Sequence, residues 1–517
     1  MTNFDLSLHI FSFLKLAKTE TVIVCAGARN APMVLALQGQ GFKVINFFEE
    51  RSAAFFALGL IKSQKKPVAI MTTSGTAVAE LLPAAVEATY QSLPLILITA
   101  DRPRFYRGSG APQSIEQVGI FSHYVESTYD LDVKTPAFNF AWSQKKPIHL
   151  NVCFDEPLID KASGGKVEVK LEPFTEDVTA AGSESPGDRM KQPLLLIGEV
   201  DEPYREQVKN LVARVKAPVY AESLSHLRNA AGIESYLITS SEQLLKKVFS
   251  QKLCDSVIRI GGVPTTRFWR DLEKEFKHIP VMNYTPSLFS GLGRSSALAN
   301  IQKMTAPATF PFVNLIQIRQ WDMQLNQTKE DLLVKYPQSE QAMVHRLSQV
   351  VRQSPVYLGN SLPIRHWDEY AQVQSTQVAA NRGANGIDGQ VSTYLGWSQT
   401  MTKSFCVIGD LTAMYDLAAL GLSPHLDRGQ RNIVIINNSG GQIFNRVFKS
   451  DDFINAHSVH FDSWAKMWNW HYELVANSAD IRKIDRLTSA KNIIELVPDA
   501  SQTAAFWNEW DQQCRQV

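Results

Sequence analysis

Asp410 and Asn438 are the residues whose types and spacing most directly suggest chemistry. Asp410 closes the apolar run SFCVIGD (404–410), and Asn437-Asn438 close the next one, NIVIINN (432–438). A helix between two such runs, in a right-handed crossover, brings both strand ends to one sheet edge. Ligands of open α/β sheets bind at that carboxyl edge. A carboxylate and an amide oxygen side by side are hard donors suited to Mg²⁺ that also holds phosphate. The turn Ser439-Gly440-Gly441 can bring in a backbone carbonyl as a third donor. Leu411 and Thr412 open the intervening helix, whose first N–H groups favour a phosphate. Taken singly, each half reads equally well as a helix cap or an Asn turn.

Other residues are candidates by position. Glu50, in FFEERSAAFFALG, follows a buried-strand pattern and opens a helix. On their own, Glu49 and Glu50 are simply acids that favour a helix N-terminus. TTSGTA (72–77) is a tight strand-to-helix turn in the same region. Arginines stand beside turns in GARNAP (Arg29), GGVPTTR (Arg267), GNSLPIR (Arg365, with Ser361) and NRGANGIDG (Arg382). An arginine on a carboxyl-edge loop suits bidentate carboxylate recognition, although most arginines in any chain are solvated surface groups. Gln113 lies in a long loop after TADRP and can hydrogen-bond a polar substrate group. His123, His366, His425 and His471 have no metal-like spacing and read as packing, capping or surface groups.

The elements that must position these groups are written in the hydropathy pattern. TVIVCAG (21–27), KVINFF (43–48), PVAIMTT (67–73) and LPLILITA (93–100) are continuously apolar, as strands buried on both faces of a parallel sheet must be. APMVLALQ (31–38), RSAAFFALGLIK (51–62) and TAVAELLPAAVEATY (76–90) alternate with them as helices. Further strand patterns fall at 194–200, 217–223, 256–262, 356–361, 377–383, 404–410 and 432–438. A polar stretch at 179–193 reads as a linker, and 326–352 as a polar helical segment. The expectation is an α/β protein of three doubly wound parallel-sheet domains, at 1–180, 190–340 and 350–517.

Composition bounds the function. With 517 residues, 52 Lys and Arg against 51 Asp and Glu, and a net charge of +1, the chain lacks the basic surplus of a nucleic-acid protein. Residues 1–20 have no basic n-region and carry Asp5, unlike a signal peptide. No apolar run is long enough to span a bilayer. The five cysteines are widely spaced, without a CxxC pair, which suits a reduced cytoplasmic protein.

The paired motif Gly409-Asp410 … Asn437-Asn438 resembles the signature of thiamine-diphosphate enzymes, with Leu411 where Gly is commoner. Across most of its first and third domains, and only weakly in the middle one, the chain resembles the 2-succinyl-5-enolpyruvyl-6-hydroxy-3-cyclohexene-1-carboxylate synthase family of menaquinone biosynthesis. The likeness is carried by EERSAAFFALGL, TTSGTAVAELLPAAVEA, PLILITADRP, GAPQSIEQVGIF, GNSLPIR, NRGANGIDG, GDLTAMYDL and NNSGGQIF, in the family's order. It implies a pyrimidine-binding domain, a central domain and a diphosphate-binding domain. It implies a transferase that decarboxylates 2-oxoglutarate on thiamine diphosphate and adds the succinyl carbanion equivalent to isochorismate. By the same resemblance Glu50 meets the cofactor's aminopyrimidine. Asp410, Asn438 and the Gly440 carbonyl hold Mg²⁺ (or Mn²⁺). Leu411 and Thr412 line the diphosphate, and Ile443 and Phe444 support the bent cofactor. Arg29, Gln113, Arg267, Ser361, Arg365 and Arg382 handle substrate, and sites lie between subunits of a homodimer or homotetramer. Ala28 replaces a family serine, so one substrate-contacting hydroxyl is missing, and Phe268 after Arg267 is not basic. The competing expectations are another thiamine-dependent 2-oxo acid decarboxylase, an acetolactate-type synthase, or a cofactor-free regulatory relative. The arginine set, suited to dicarboxylates, weighs against the first two. The intact Glu50, Asp410 and Asn438 weigh against the third.

Overall fold

The computed structural model describes residues 1–164, 168–173, 190–287, 289–294, 296–301, 304, 312, 314–372, 377–448 and 450–516. Its strands fall into four sheets, all parallel. The first contains β1 (Thr21–Val24), β2 (Lys43–Asn46), β3 (Val68–Thr72), β4 (Leu95–Asp101), β5 (Thr128–Leu131) and β7 (Ile148–Cys153). Its spatial order is β2-β1-β3-β4-β7-β5. β6 (Phe138–Ala141) and β8 (Val169–Glu172) form a separate pair. The central sheet is β10 (Val219–Ala221), β9 (Pro193–Ile197), β11 (Ser256–Ile260), β12 (Val281–Tyr284) and β13 (Ala297–Ala299), in that order. The last sheet uses β14 (Val356–Leu358), β15 (Val378–Ala379), β16 (Lys403–Gly409), β17 (Gln430–Ile436), β18 (His471–Val475) and β19 (Lys491–Leu496). Its order is β15-β14-β16-β17-β19-β18. The α/β class expected from the alternation is what the chain adopts.

The first and last sheets share one topology. Numbered within each sheet, both run 2-1-3-4-6-5. Each therefore reverses direction between its first and third strands, at β1/β3 and β14/β16, and such a reversal opens a crevice at the carboxyl edge. The central sheet reverses likewise at β9/β11. In all three a glycine beyond the first strand meets the third strand or its outgoing turn too closely for a side chain. A Cβ on Gly27 would lie 2.6 Å from Thr73, on Gly198 2.6 Å from the Gly262 carbonyl, and on Gly359 2.7 Å from Ile408.

Burial follows the pattern in three of the four runs expected to be buried on both faces, and not in KVINFF, whose strand β2 is at the sheet edge. β1, β3, β4 and β7 are buried at every residue, whereas β2 at the sheet edge buries only Ile45. Along β9 the side chains alternate between two cores, with Leu194 and Leu196 in one and Leu195 and Ile197 in the other. That is the period of two expected of a strand covered on both faces.

Several expected elements differ in detail. The segment 76–90 is two helices, Thr76–Ala79 and Leu82–Tyr90, because Pro83 lacks an N–H and sits in the first turn of the second. The segment 326–352 belongs to two helices, Leu315–Lys335 and Glu340–Val350, the second capped by Ser339 accepting from the Ala342 N–H at 3.2 Å. Of the expected linker, 179–189 lies outside the described residues. No helix among the described residues is long and apolar enough to cross a membrane.

The chain divides into two compact units. One comprises Met1–Asp177, Asn381–Thr402 and Thr412–Arg431, and the other Val178–Ala380, Lys403–Leu411 and Asn432–Val517. Within the first unit the helix Glu50–Gln64 is buried at every position from Ser52 to Ile61. Its outer face packs on the helix Gln390–Trp397. A Cβ on Gly59 would lie 2.0 Å from the Thr393 carbonyl, and one on Gly396 2.2 Å from that of Phe56. The two helices cross backbone to backbone, at glycines.

Candidate active site

In the first unit Glu50, Arg29 and Gln113 lie at the carboxyl edge around the β1/β3 reversal, whereas the Arg382 loop packs on the far end of the helix Leu82–Tyr90, against Glu87, Tyr90 and Gln91. Glu49 and Glu50 follow β2 and occupy one helix start, yet only one of them is a cap. The Glu49 carboxylate accepts from the N–H groups of Arg51 at 3.1 Å and Ser52 at 3.0 Å. Glu50, half-buried, has no other side chain hydrogen-bonded to it among the described residues. Burial raises its pKa, with the charges of Glu49 and Glu80 pushing the same way. Cys25, at the end of β1, is pushed far up for the same reasons, burial first and then Glu50 and Glu49. A carboxyl that its surroundings hold toward the neutral form is suited to sharing a proton with a ligand.

The start of that helix is tied down. The wholly buried Asp416 accepts from the Ser52 hydroxyl at 3.2 Å, the Ser392 hydroxyl at 3.0 Å and the Ser392 N–H at 2.8 Å. Arg51 donates to the Tyr415 carbonyl at 2.9 Å. Sequence reading did not single out Asp416, because its partners lie far away along the chain.

Arg29 follows β1, donates to the Phe154 carbonyl at 3.2 Å and lies 3.7 Å from Glu156. Gln113 is exposed, with φ of 57°. Its Cα would lie 3.2 Å from a Cβ on Gly75, so its loop packs directly on the TTSGTA turn. The clamp between them is Gln117, which is wholly buried. It accepts from the Gly75 N–H at 3.0 Å and donates to the Ala100 carbonyl at 3.0 Å and Asn151 Oδ1 at 2.8 Å. Gln117 lies inside GAPQSIEQVGIF, where attention fell on Gln113. The Arg382 loop is held by Glu87, which accepts from the N–H groups of Gly383 at 2.8 Å and Ala384 at 2.7 Å. A cavity of about 150 Å³ lies under this loop against Phe55 and Glu87. It is smaller than the ~300 Å³ at which ligand pockets usually begin.

In the second unit, β16 ends at Gly409 and Asp410 opens the helix Asp410–Tyr415. Asp410 is buried. Its Oδ1 accepts from the Leu411 N–H at 2.6 Å and its Oδ2 from the Gly440 N–H at 2.9 Å. These bonds join the two halves of the motif directly. His457, which sequence reading did not consider, lies at the same carboxylate. Its Nδ1 accepts from the Val459 N–H at 3.2 Å, and its Nε2 lies 3.2 Å from Asp410 Oδ2, in ion-pair range though off hydrogen-bond alignment. Burial raises the Asp410 pKa, opposed by the N–H groups of Gly440 and Leu411 and by His457.

Asn438 lies just beyond β17. Its Nδ2 donates to Glu340 Oε2 at 2.9 Å, and its Oδ1 is buried without a hydrogen-bond partner among the described residues. Among those residues no cluster of three or more His, Cys, Asp or Glu could hold a metal. The donor group expected from the sequence, the Asp410 carboxylate, the Asn438 amide oxygen and the Gly440 carbonyl, is not of that kind. Thr412 is buried and Ile443 half-buried, while Phe444 is 41% exposed. Ser361 and Arg365 follow β14, the strand beside β16. Ser361 has φ 74° and ψ −131°, a backbone strained for a residue with a side chain. Arg267 stands elsewhere, exposed beyond β11 of the central sheet, its N–H on Glu242 at 2.7 Å.

Comparison with known proteins shows what the chain is similar to. Residues 4–120 match the family described as thiamine pyrophosphate enzyme, N-terminal TPP binding domain. A 2-succinyl-5-enolpyruvyl-6-hydroxy-3-cyclohexene-1-carboxylate synthase of Bdellovibrio bacteriovorus is 45% identical over 99% of both chains. The synthase of Akkermansia muciniphila is 37% identical over 93% of both. That of Geobacillus thermodenitrificans is 32% identical over 86% of this chain and 83% of its own.

Proposed function

The chain belongs to the family of 2-succinyl-5-enolpyruvyl-6-hydroxy-3-cyclohexene-1-carboxylate synthases, and from that premise we propose that it catalyses the reaction the family name describes. It takes 2-oxoglutarate and isochorismate, releases carbon dioxide, and joins the remaining succinyl unit to the ring in menaquinone biosynthesis. The observation that carries the reading is the placement of Glu50 and of Asp410 with Asn438. They lie at the carboxyl edges of two sheets that share one strand order.

Thiamine diphosphate, when bound, supplies a nucleophilic carbon that accepts the 2-oxo acid. The protein's part is positioning and proton control. Glu50, in the pyrimidine-binding domain (1–180), hydrogen-bonds the aminopyrimidine, and its raised pKa suits a carboxyl that shares that proton. The diphosphate-binding domain (350–517) holds the divalent ion, and its residues fit such a group. Among the described residues Asn438 Oδ1 is buried without a hydrogen-bond partner, and the buried Asp410 carboxylate accepts from the Leu411 and Gly440 N–H groups. With the Gly440 carbonyl they form a hard-oxygen set for Mg²⁺ or Mn²⁺. Leu411 and Thr412 line the diphosphate, and Ile443 and Phe444 support the cofactor between its ends. Arg29, Gln113, Ser361, Arg365 and Arg382, with Arg267 of the central domain (190–340), receive the substrate carboxylates and hydroxyl. The enzyme works in the cytoplasm as a homodimer or homotetramer with sites at subunit interfaces. Its cysteines support a reduced compartment, since Cys25, Cys153, Cys254 and Cys406 are buried free thiols.

The test is turnover of 2-oxoglutarate with isochorismate in the presence of thiamine diphosphate and Mg²⁺, followed as product and carbon dioxide. Faster turnover of pyruvate, or no product from a folded chain with cofactor bound, overturns the reading.

A further inference from the structure

We propose that Glu340 is a positioning residue that fixes which way round the Asn438 amide sits, keeping an oxygen and not an NH₂ group turned to the metal. The proposal rests on the reading of Asn438 as a ligand. An amide has nearly the same shape in its two orientations but opposite polarity at each end. The rotation between them is soft, so the neighbours decide. Glu340 belongs to the start of the helix Glu340–Val350, 98 residues away in sequence from Asn438. A carboxylate offers only acceptor oxygens. By accepting the Asn438 NH₂ at 2.9 Å, Glu340 turns Oδ1 to the other side, where that atom lies buried without a hydrogen-bond partner among the described residues. The reverse orientation would set the amide oxygen against a carboxylate and an NH₂ against a cation, which is unfavourable at both ends.

The carboxylate is itself held in place. Glu340 is 1% exposed, and its N–H donates to Thr503 Oγ1 at 3.0 Å. Its Oε1 lies 3.0 Å from His366 Nδ1, in ion-pair range though off hydrogen-bond alignment. The His366 ring packs between Tyr370 and Trp507, with ring centroids 5.6 Å and 5.5 Å away. The chain thus spends a buried acid and a buried histidine on one end of one amide. Groups that orient a metal ligand in this way typically contribute about 10–100-fold to metal affinity.

The experiment is a titration of the full chain with Mn²⁺ at saturating thiamine diphosphate, following free Mn²⁺ by electron paramagnetic resonance. Circular dichroism verifies the fold of each variant. Glu340→Met, which keeps the length and removes the acceptor, should weaken Mn²⁺ binding about tenfold or more. Glu340→Gln, which keeps an acceptor oxygen, should stay within about threefold of the parent. Equal affinity in Glu340→Met and the parent overturns the proposal. So does an equal loss in Glu340→Gln, since that would assign the effect to charge alone. Should Glu340→Met not fold, Glu340→Asp takes its place, with the acceptor withdrawn by one methylene and the same tenfold loss expected. An Mn²⁺ affinity unchanged in Asn438→Ala would refute the ligand reading itself, an outcome separate from failure of the positioning role.

Discussion

Glu49 and Glu50 are neighbours at one helix start, and their surroundings separate them. Glu49 spends its carboxylate on two backbone N–H groups, and no other side chain among the described residues hydrogen-bonds that of Glu50, which the proposed function gives to the cofactor. Two consequences follow for Glu50→Gln. Activity should fall by about 10²–10⁴-fold, the usual worth of a positioned acid or base, and near-normal kcat would refute the role. Stability should move the other way. A carboxyl whose folded pKa is raised costs stability once ionised. That cost is absent below the ordinary Glu value of about 4.3 and fully present above the raised one. Gln carries no such cost, so the variant's thermal midpoint should equal or exceed the parent's at pH 7–8, with the difference vanishing toward pH 4. A variant less stable at pH 8 than at pH 4, relative to the parent, would contradict this. The placement of Asp410 and Asn438 beyond neighbouring strands was legible because apolar runs end at them. Glu340 and His366 were not, because nothing in a linear pattern ties residue 340 to residue 438.

At the scale of elements, two devices hold the first unit's edge in place. The first is the glycine crossing of the helices Glu50–Gln64 and Gln390–Trp397. Gly396→Ala would drive a methyl to 2.2 Å from a carbonyl oxygen that cannot retreat without moving its helix. Overpacking of this kind costs about 1–3 kcal/mol, and chemical denaturation should show the midpoint fall without a change in slope. An unaltered midpoint would mean that the helices can slide apart freely. The second is Gln117. Gln117→Ala leaves the Gly75 N–H, the Ala100 carbonyl and Asn151 short of a partner, at about 1–3 kcal/mol for each buried group. Because it ties the turn to the Gln113 loop, substrate KM should rise several-fold while Mn²⁺ affinity holds. Unchanged KM would reduce Gln117 to a structural pin. β1, β3, β4, β9, β16 and β17 were readable as apolar runs. β7 and β19 are as buried yet escaped, because His149 and Asn151 in one and Asn492 and Glu495 in the other interrupt the apolar pattern. So did β5, β12, β13 and β18, and β15, expected at 377–383, has only two residues. The break at Pro83 was there to be read, and the apolar run on both sides masked it.

For the whole molecule, a helix buried on all sides carries information about chain organisation. A helix on a sheet ordinarily shows one polar face. The helix Glu50–Gln64 does not, for Ser52 through Ile61 are all buried. Its outer side needs a cover, and within its compact unit that cover arrives more than three hundred residues later as Gln390–Trp397. The buried Asp416 carboxylate fastens Ser52 to Ser392 alongside. The sequence therefore folds its first sheet against a helix that cannot exist until late in synthesis. The strand order 2-1-3-4-6-5 explains the match, because the two helices follow the second strands of two sheets built alike. A fragment of residues 1–177 keeps every strand of the first sheet yet lacks this cover. It should bind a hydrophobic dye strongly, self-associate, and lose the cooperative unfolding of the full chain, as expected when a large apolar surface is left open. Sedimentation and dye binding of the fragment, set beside the full chain, make the comparison. A monomeric fragment that unfolds cooperatively and leaves the dye dark would show that the first sheet closes its core alone.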